Sequence, residues 1–250
     1  MPIHRAKKTP SRGEEFRPEK WVALGGPPNP SVREQIVMLA IEEIIEIEPA
    51  DFNAASPCDR IGVKHPTVNY HFGNRDGLLA EATMWAHDSW VRFLHNNLLA
   101  APKNAKKRLR AFIDSEIAWS KKMGGMMLLM HYPLASQGSQ QIVAEEYSER
   151  MQRNFEFNLA LLTTMVLDIR NKTLTPLIFT VDDYPKAELL RHTSAVLAAT
   201  SISWATHGIA SWSIGDHIAT RNMESYAASK LSRSIATEHY IKQIMRLAEK

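Results

Sequence analysis

The stretch IGVKHPTVNYHFGNRDGLLAE, Ile61 to Glu81, sets three glycines, one proline and a run of polar and aromatic side chains between short apolar pairs. Gly62 breaks the chain, and Pro66 stands near a helix start, where a missing N–H costs nothing. The spacing turns Val63 and Val68 inward and Lys64, His65, Thr67, Asn69 and Tyr70 outward. Asn74 is placed to cap the next helix. Two short helices joined at a glycine corner are the pattern of a helix-turn-helix. The second helix of that unit fits the major groove of DNA, and residues near its N-terminus meet base edges there.

Toward the N-terminus, Ser31 and Glu34 form an S-x-x-E capping box, and Ile36, Leu39, Ala40, Glu43, Ile44 and Ile47 recur at helical spacing. Pro49 ends that helix, Phe52 is a lone apolar anchor, and Asn53 or Ser56 is expected to cap a short second helix with Pro57 in its first turn. Toward the C-terminus, Leu78, Leu79, Ala82, Trp85 and Ala86 continue a helix to about Trp90. Residues 31–90 therefore read as four helices.

Residues 1–30 have no amphipathic period and end in GGPPNP, which reads as a disordered basic arm and a Pro/Gly linker. Residues 1–30 hold six basic and three acidic side chains, residues 31–101 five and ten, and residues 102–250 nineteen and fourteen, within a net charge of +3. The helix-turn-helix segment is thus acidic as a whole. Only the local field at a docking face governs binding, and Arg5, Lys7, Lys8, Arg12 and Arg17 of the arm are candidates for phosphate or minor-groove contact. A plain tail is the alternative.

GVKHPTVNYHFGNRDGLL resembles the recognition segment of the TetR/AcrR family of bacterial transcriptional regulators, with the likeness covering about Ile36 to Glu81. The resemblance implies an all-α chain: a helix-turn-helix DNA-binding domain over 31–80 and a helical effector-binding and dimerisation domain over 81–250. It implies that Lys64, His65, Pro66 and Thr67 open the recognition helix and meet bases or their backbone, with Asn69 on the same short helix. Tyr70 and His71 would lie at the phosphates, and Arg75 would stand where a cation holds a phosphate. On residue chemistry alone, His71 serves equally as an internal hydrogen-bonding group, and Lys64, Thr67 and Tyr70 as a solvated face.

The second half is helical in pattern. Leu109, Phe112, Ile113, Ile117 and Trp119 share one side of a helix, and Met123, Met126, Met127 and Met130 follow closely. Methionine adapts to varied apolar shapes, so a ligand pocket and an ordinary core are both open readings. The resemblance implies a cavity for a small, largely apolar effector, with Trp119, Met123, Met127, Met130, Phe155 and Phe157 as lining residues. NKTLTPLIFTV, residues 171–181, reads as irregular or briefly extended, and Pro185 opens another helix. Small residues then recur every three or four positions, which allows close helix approach. Ala227, Leu231, Ile235, Ile241, Ile244 and Ala248 form a stripe suited to a two-fold, four-helix dimer interface or to burial within one subunit.

Other functions leave weaker traces. Tyr226 and Lys230 match the Y-x-x-x-K of short-chain dehydrogenases, with Ser213 thirteen residues earlier. No glycine-rich strand-to-helix turn accompanies them in the first 60 residues, and the pair reads better as neighbours on one helix face. The scattered histidines form no metal-ligand motif, and no catalytic set or cofactor is expected. The single Cys58 reads as a small buried residue. No apolar run reaches the length of a membrane span, and the first ten residues lack a signal-peptide core, so a cytoplasmic location is expected. The expected function is a ligand-responsive regulator, most simply a repressor that binds a palindromic operator as a homodimer. A helical protein-interaction module without DNA binding is the alternative from another class. His192 and His207 are open to core hydrogen bonding or ligand contact.

Overall fold

The computed structural model describes residues 26–46, 49–123, 126, 137–220 and 227–249, with backbone alone over 212–220 and 227–234. The basic arm expected before residue 26 lies outside the described residues. Among the described residues the chain is all-α, with ten helices and no strand. In order they are α1 (Val32–Glu46), α2 (Ser56–Ile61), α3 (Pro66–Phe72), α4 (Arg75–Ala100) and α5 (Ala105–Met123). The rest are α6 (Gln137–Glu146), α7 (Ser148–Asn171), α8 (Lys186–Leu189), α9 (Thr193–Thr220) and α10 (Ala227–Leu247).

The capping box of α1 is made. The Ser31 amide and hydroxyl each donate to Glu34 Oε2 at 2.7 Å, and the Glu34 amide donates to Ser31 Oγ at 3.3 Å. The buried face is broader than the expected stripe, because α1 is covered by both α2 and α4 and hides Val37, Met38 and Ile41 as well. Pro49 opens a 3-10 turn, Pro49–Asp51. The expected side-chain cap of α2 is absent: Ala55 holds the N-cap position, and Asn53 Oδ1 accepts from the Ala55 amide at 3.1 Å. Asn53 thus turns the chain into α2 without capping it.

Gly62 ends α2 at φ 73°, in the left-handed region. Its amide and that of Val63 donate back to Asp59 and Cys58 carbonyls, which closes the helix end and redirects the chain into α3. Asn74 caps α4 as expected, accepting from the Gly77 amide at 2.9 Å. Gly77 is required by space: a Cβ there would lie 1.9 Å from the Phe72 carbonyl oxygen, so α4 can approach the end of α3 this closely only without a side chain.

Helix α4 is longer than the pattern indicated and runs unbroken past residue 80 to Ala100. It touches α1, α3, α5, α6 and α7, and one continuous apolar core extends from Ile36 on α1 to Ala248 beyond α10. Behind α4, α9 packs closely on α5 and α7, with Ala195, Ala199, Ile202, Thr206 and Ala210 buried at three- and four-residue intervals. The segment Thr173–Thr180 is neither helix nor strand. Its amide and hydroxyls at Thr173 and Thr175 converge on the buried Asp168 carboxylate at 2.8–3.0 Å, which anchors the loop. Pro185 precedes the short α8 as expected.

Candidate nucleic-acid interface and interior polar cluster

Helix α3 stands on Val68, which is buried, with Val63 and Phe72 half-buried against the same core. This fixes which side faces out. Lys64, His65, Pro66, Asn69 and Tyr70 are exposed, Thr67 and His71 half-buried, and Tyr70 reaches 84%. Tyr70 and His71 meet edge to face at 4.9 Å, and His71 meets Phe72 at 6.0 Å, so the half-buried His71 lies between an outward and an inward ring. His65 Nε2 is 2.7 Å from Asp59 Oδ1 on α2, with both groups well exposed.

Arg75 is engaged within the chain. Its guanidinium donates to the carbonyls of Phe52 and Pro49 and lies 5.9 Å from the Phe52 ring, so it clamps the α1–α2 connection. Arg60 pairs with Glu42 at 3.0 Å, and Arg33 with Glu81 at 3.0 Å. Among the described basic residues of 31–80, Lys64 is the one not held in this way. Arg33, Arg60 and Arg75 are thus engaged away from α3, which leaves the acidic balance of the segment unchanged.

The N-terminal helices are tied to the rest at Glu81 on α4. Arg33 Nη1 donates to Glu81 Oε1 at 3.0 Å, and the Tyr147 hydroxyl, between α6 and α7, donates to Oε2 at 2.6 Å. Burial pushes the Glu81 carboxyl up, but these bonds outweigh it and hold its pKa below the usual range. Tyr147 is pushed up to about 12, by burial first and then by its bond to the carboxylate. The contact continues at the start of α6, where a Cβ on Gly138 would lie 2.1 Å from Asp76 Oδ2.

The residues expected to line one apolar pocket are divided. Trp119 and Met123 are buried in the main core, while Met127 and Met130 lie outside the described residues. Phe155 and Phe157 sit two positions apart on α7 and point to different sides. Phe155, 44% exposed, packs edge-on to His87, whereas Phe157 is buried among His95, Phe179 and Tyr184.

Between α4, α5, α7 and α9 the interior is polar. Glu116 on α5 is fully buried; its Oε2 accepts from the Trp90 indole N–H at 2.6 Å, and its Oε1 lies 3.3 Å from His207 Nε2 on α9. His207 Nδ1 is 2.8 Å from the Ser203 carbonyl, an acceptor, so Nδ1 carries a proton. Burial pushes the Glu116 carboxyl up, opposed by His207 and the Trp90 bond.

His87, 1% exposed, is oriented by a second chain. The Asn154 amide Nδ2 donates to Asp88 Oδ1 at 2.7 Å and lies 3.2 Å from His87 Nδ1, and Arg150 also binds Asp88. Nδ1 of His87 is therefore an acceptor and Nε2 bears the hydrogen. Burial lowers the His87 pKa to about 4, which keeps the ring neutral near pH 7. His87 Nε2, Ser120 Oγ and Asn158 Oδ1 are all buried without a hydrogen-bond partner. None of these polar residues except His207 was singled out by the sequence pattern, since each interrupts an apolar face by a single position.

No family model matches the chain, and no curated protein matches it. Ser213 and Lys230 fall on α9 and α10, while Tyr226 lies outside the described residues. The described all-α residues supply no strand-to-helix dinucleotide cradle for such a set. Among the described residues no three metal-binding side chains are grouped to hold an ion, and no helix is long and apolar enough to cross a membrane.

Proposed function

We propose that the chain is a ligand-responsive transcriptional regulator that binds a palindromic DNA operator as a homodimer, most simply a repressor released by a small effector. The reading is carried by one observation: a short helix and its entry, bounded by Gly62, Asn74 and Gly77, present Lys64, His65, Asn69 and Tyr70 to solvent. An 84% exposed tyrosine and an exposed lysine have no work to do in the apolar core; at a groove wall, both groups reach phosphates. Arg75 is assigned to positioning the turn, because its Nε and Nη2 donate to the Phe52 and Pro49 carbonyls.

One short helix contacts few bases, so two copies related by a two-fold axis are needed to read both half-sites. The outward face of α9 supports that assembly: Leu197 and Trp204 are 63% and 76% exposed, and Ser201 and Gly208 share their side at helical spacing. Selection of bound fragments from random DNA tests the reading. A palindrome with half-sites about one helical turn apart is expected, with enrichment lost in Tyr70→Ala. Recovery of no sequence, or the same sequence with Tyr70→Ala, leaves a helical interaction module as the better description.

A further inference from the structure

We infer that the interior cluster around Glu116 is the binding site for a small cationic molecule, an amine or amidine on an apolar body, held by Glu116, Asn158 and Ser120 with the rings of Trp90 and Phe155 beside it. The inference rests on the regulator reading only for its consequence at DNA; the binding itself is independent of it.

Buried polar atoms without partners are costly, so several on neighbouring helices need a reason. Here they converge. Glu116 and Ser120 are one turn apart on α5, Asn154 and Asn158 one turn apart on α7, and these two helices pack together. The indole of Trp90 bridges the sides, bonded to Glu116 and with its ring 5.0 Å from His87 and 5.8 Å from His207.

The chemistry of the unpartnered atoms selects the ligand. Asn158 Oδ1 accepts, the Ser120 hydroxyl can accept or donate, and Glu116 supplies an acid whose Oε1 lies 3.3 Å from His207 Nε2, with no lysine or arginine paired to it among the described residues. Acceptors and an acid predominate, which favours a guest that brings N–H donors and positive charge and disfavours a carboxylate or phosphate. The preset N–H of His87 suits a single acceptor on the same guest. Aromatic rings of Trp90 and Phe155, 6.3 Å apart and inclined at 64°, complement both an apolar body and a cation.

Thermal shift and calorimetric titration of the full chain without DNA provide the test, using benzylamine, benzamidine and 2-phenylethylamine against benzyl alcohol and benzoate. The cations are expected to raise Tm and the alcohol and carboxylate to leave it unchanged. Glu116→Gln, which keeps an acceptor for Trp90, is expected to weaken cation binding at least tenfold, and Asn158→Leu several-fold. Should Glu116→Gln fail to give a cooperative melt, Asn158→Leu decides alone. Equal effects of cations and neutral analogues, or cation binding unchanged in the folded variants, would overturn the assignment. DNA selection that fails while cations bind removes the regulator reading and leaves this site standing; the converse removes only the site.

Discussion

Helix α3 and the Glu116 cluster are assembled from similar polar and aromatic side chains, and their surroundings make them opposite cases. On α3 the groups face water, which satisfies them whatever their function, so exposure alone has little energetic consequence. In the cluster the same kinds of groups are sealed between four helices, where each missing hydrogen bond has a cost. The contrast teaches that the surface site must be tested by its partner, whereas the interior site already shows a deficit in the protein by itself.

The largest effect that would separate the two regions is backbone collision. Gly77→Ala places a methyl against the Phe72 carbonyl and is expected to destabilise the chain by about 3 kcal/mol, through overpacking at the α3–α4 corner. DNA binding should be lost with it, while cation binding in any remaining folded protein persists. Chemical denaturation followed by titration of both ligands reads this out.

An effect of similar size belongs to the cluster and depends on pH. The unfolded His87 imidazole takes up a proton near pH 6.5, and the folded one not until about 4. The folded state therefore binds fewer protons in this window, and stability present above pH 6.5 is lost as pH falls, by about 3 kcal/mol. Glu116, raised by burial, acts in the opposite sense above its ordinary value, and Asp88, Arg150 and His207 modulate His87. His87→Gln should flatten the acid limb of a stability–pH curve measured in urea. An unchanged slope in that variant would break the distinction drawn between buried and solvated polar groups.

A smaller effect is expected at the hinge between the regions. Tyr147→Phe deletes the 2.6 Å bond to Glu81 and should cost about 1 kcal/mol in urea unfolding. If Glu81 links effector and operator, that variant should also reduce the change in DNA affinity produced by a bound cation. The smallest effect is Tyr70→Ala on stability, expected within about 0.5 kcal/mol, because the ring is 84% exposed.

Much of the fold was legible in residues whose roles are local. The capping box of Ser31 and Glu34, the corner at Gly62 and the cap at Asn74 depend on neighbours three or four positions away, and the chain follows them. The inward and outward sides of α3 followed from Val68 alone. The continuation of α4 from Trp90 to Ala100 was not legible, because Arg92, His95, Asn96 and Asn97 interrupt the pattern and the partners that bury Val91, Leu94 and Leu98 come from tertiary packing. Arg75 was misleading for the same reason: its phosphate-like position is real in sequence, but its partners at Pro49 and Phe52 come from tertiary packing. The interior cluster needed four helices to meet, and no spacing within one helix announces it.

The most direct test is fluorescence anisotropy of the selected palindrome across a salt series, with the native chain and Lys64→Ala. If α3 docks on DNA, log affinity should fall linearly with log salt, and Lys64→Ala should weaken binding and reduce the slope by about one. Identical affinity and slope for the two proteins would contradict the placement of α3 at the DNA.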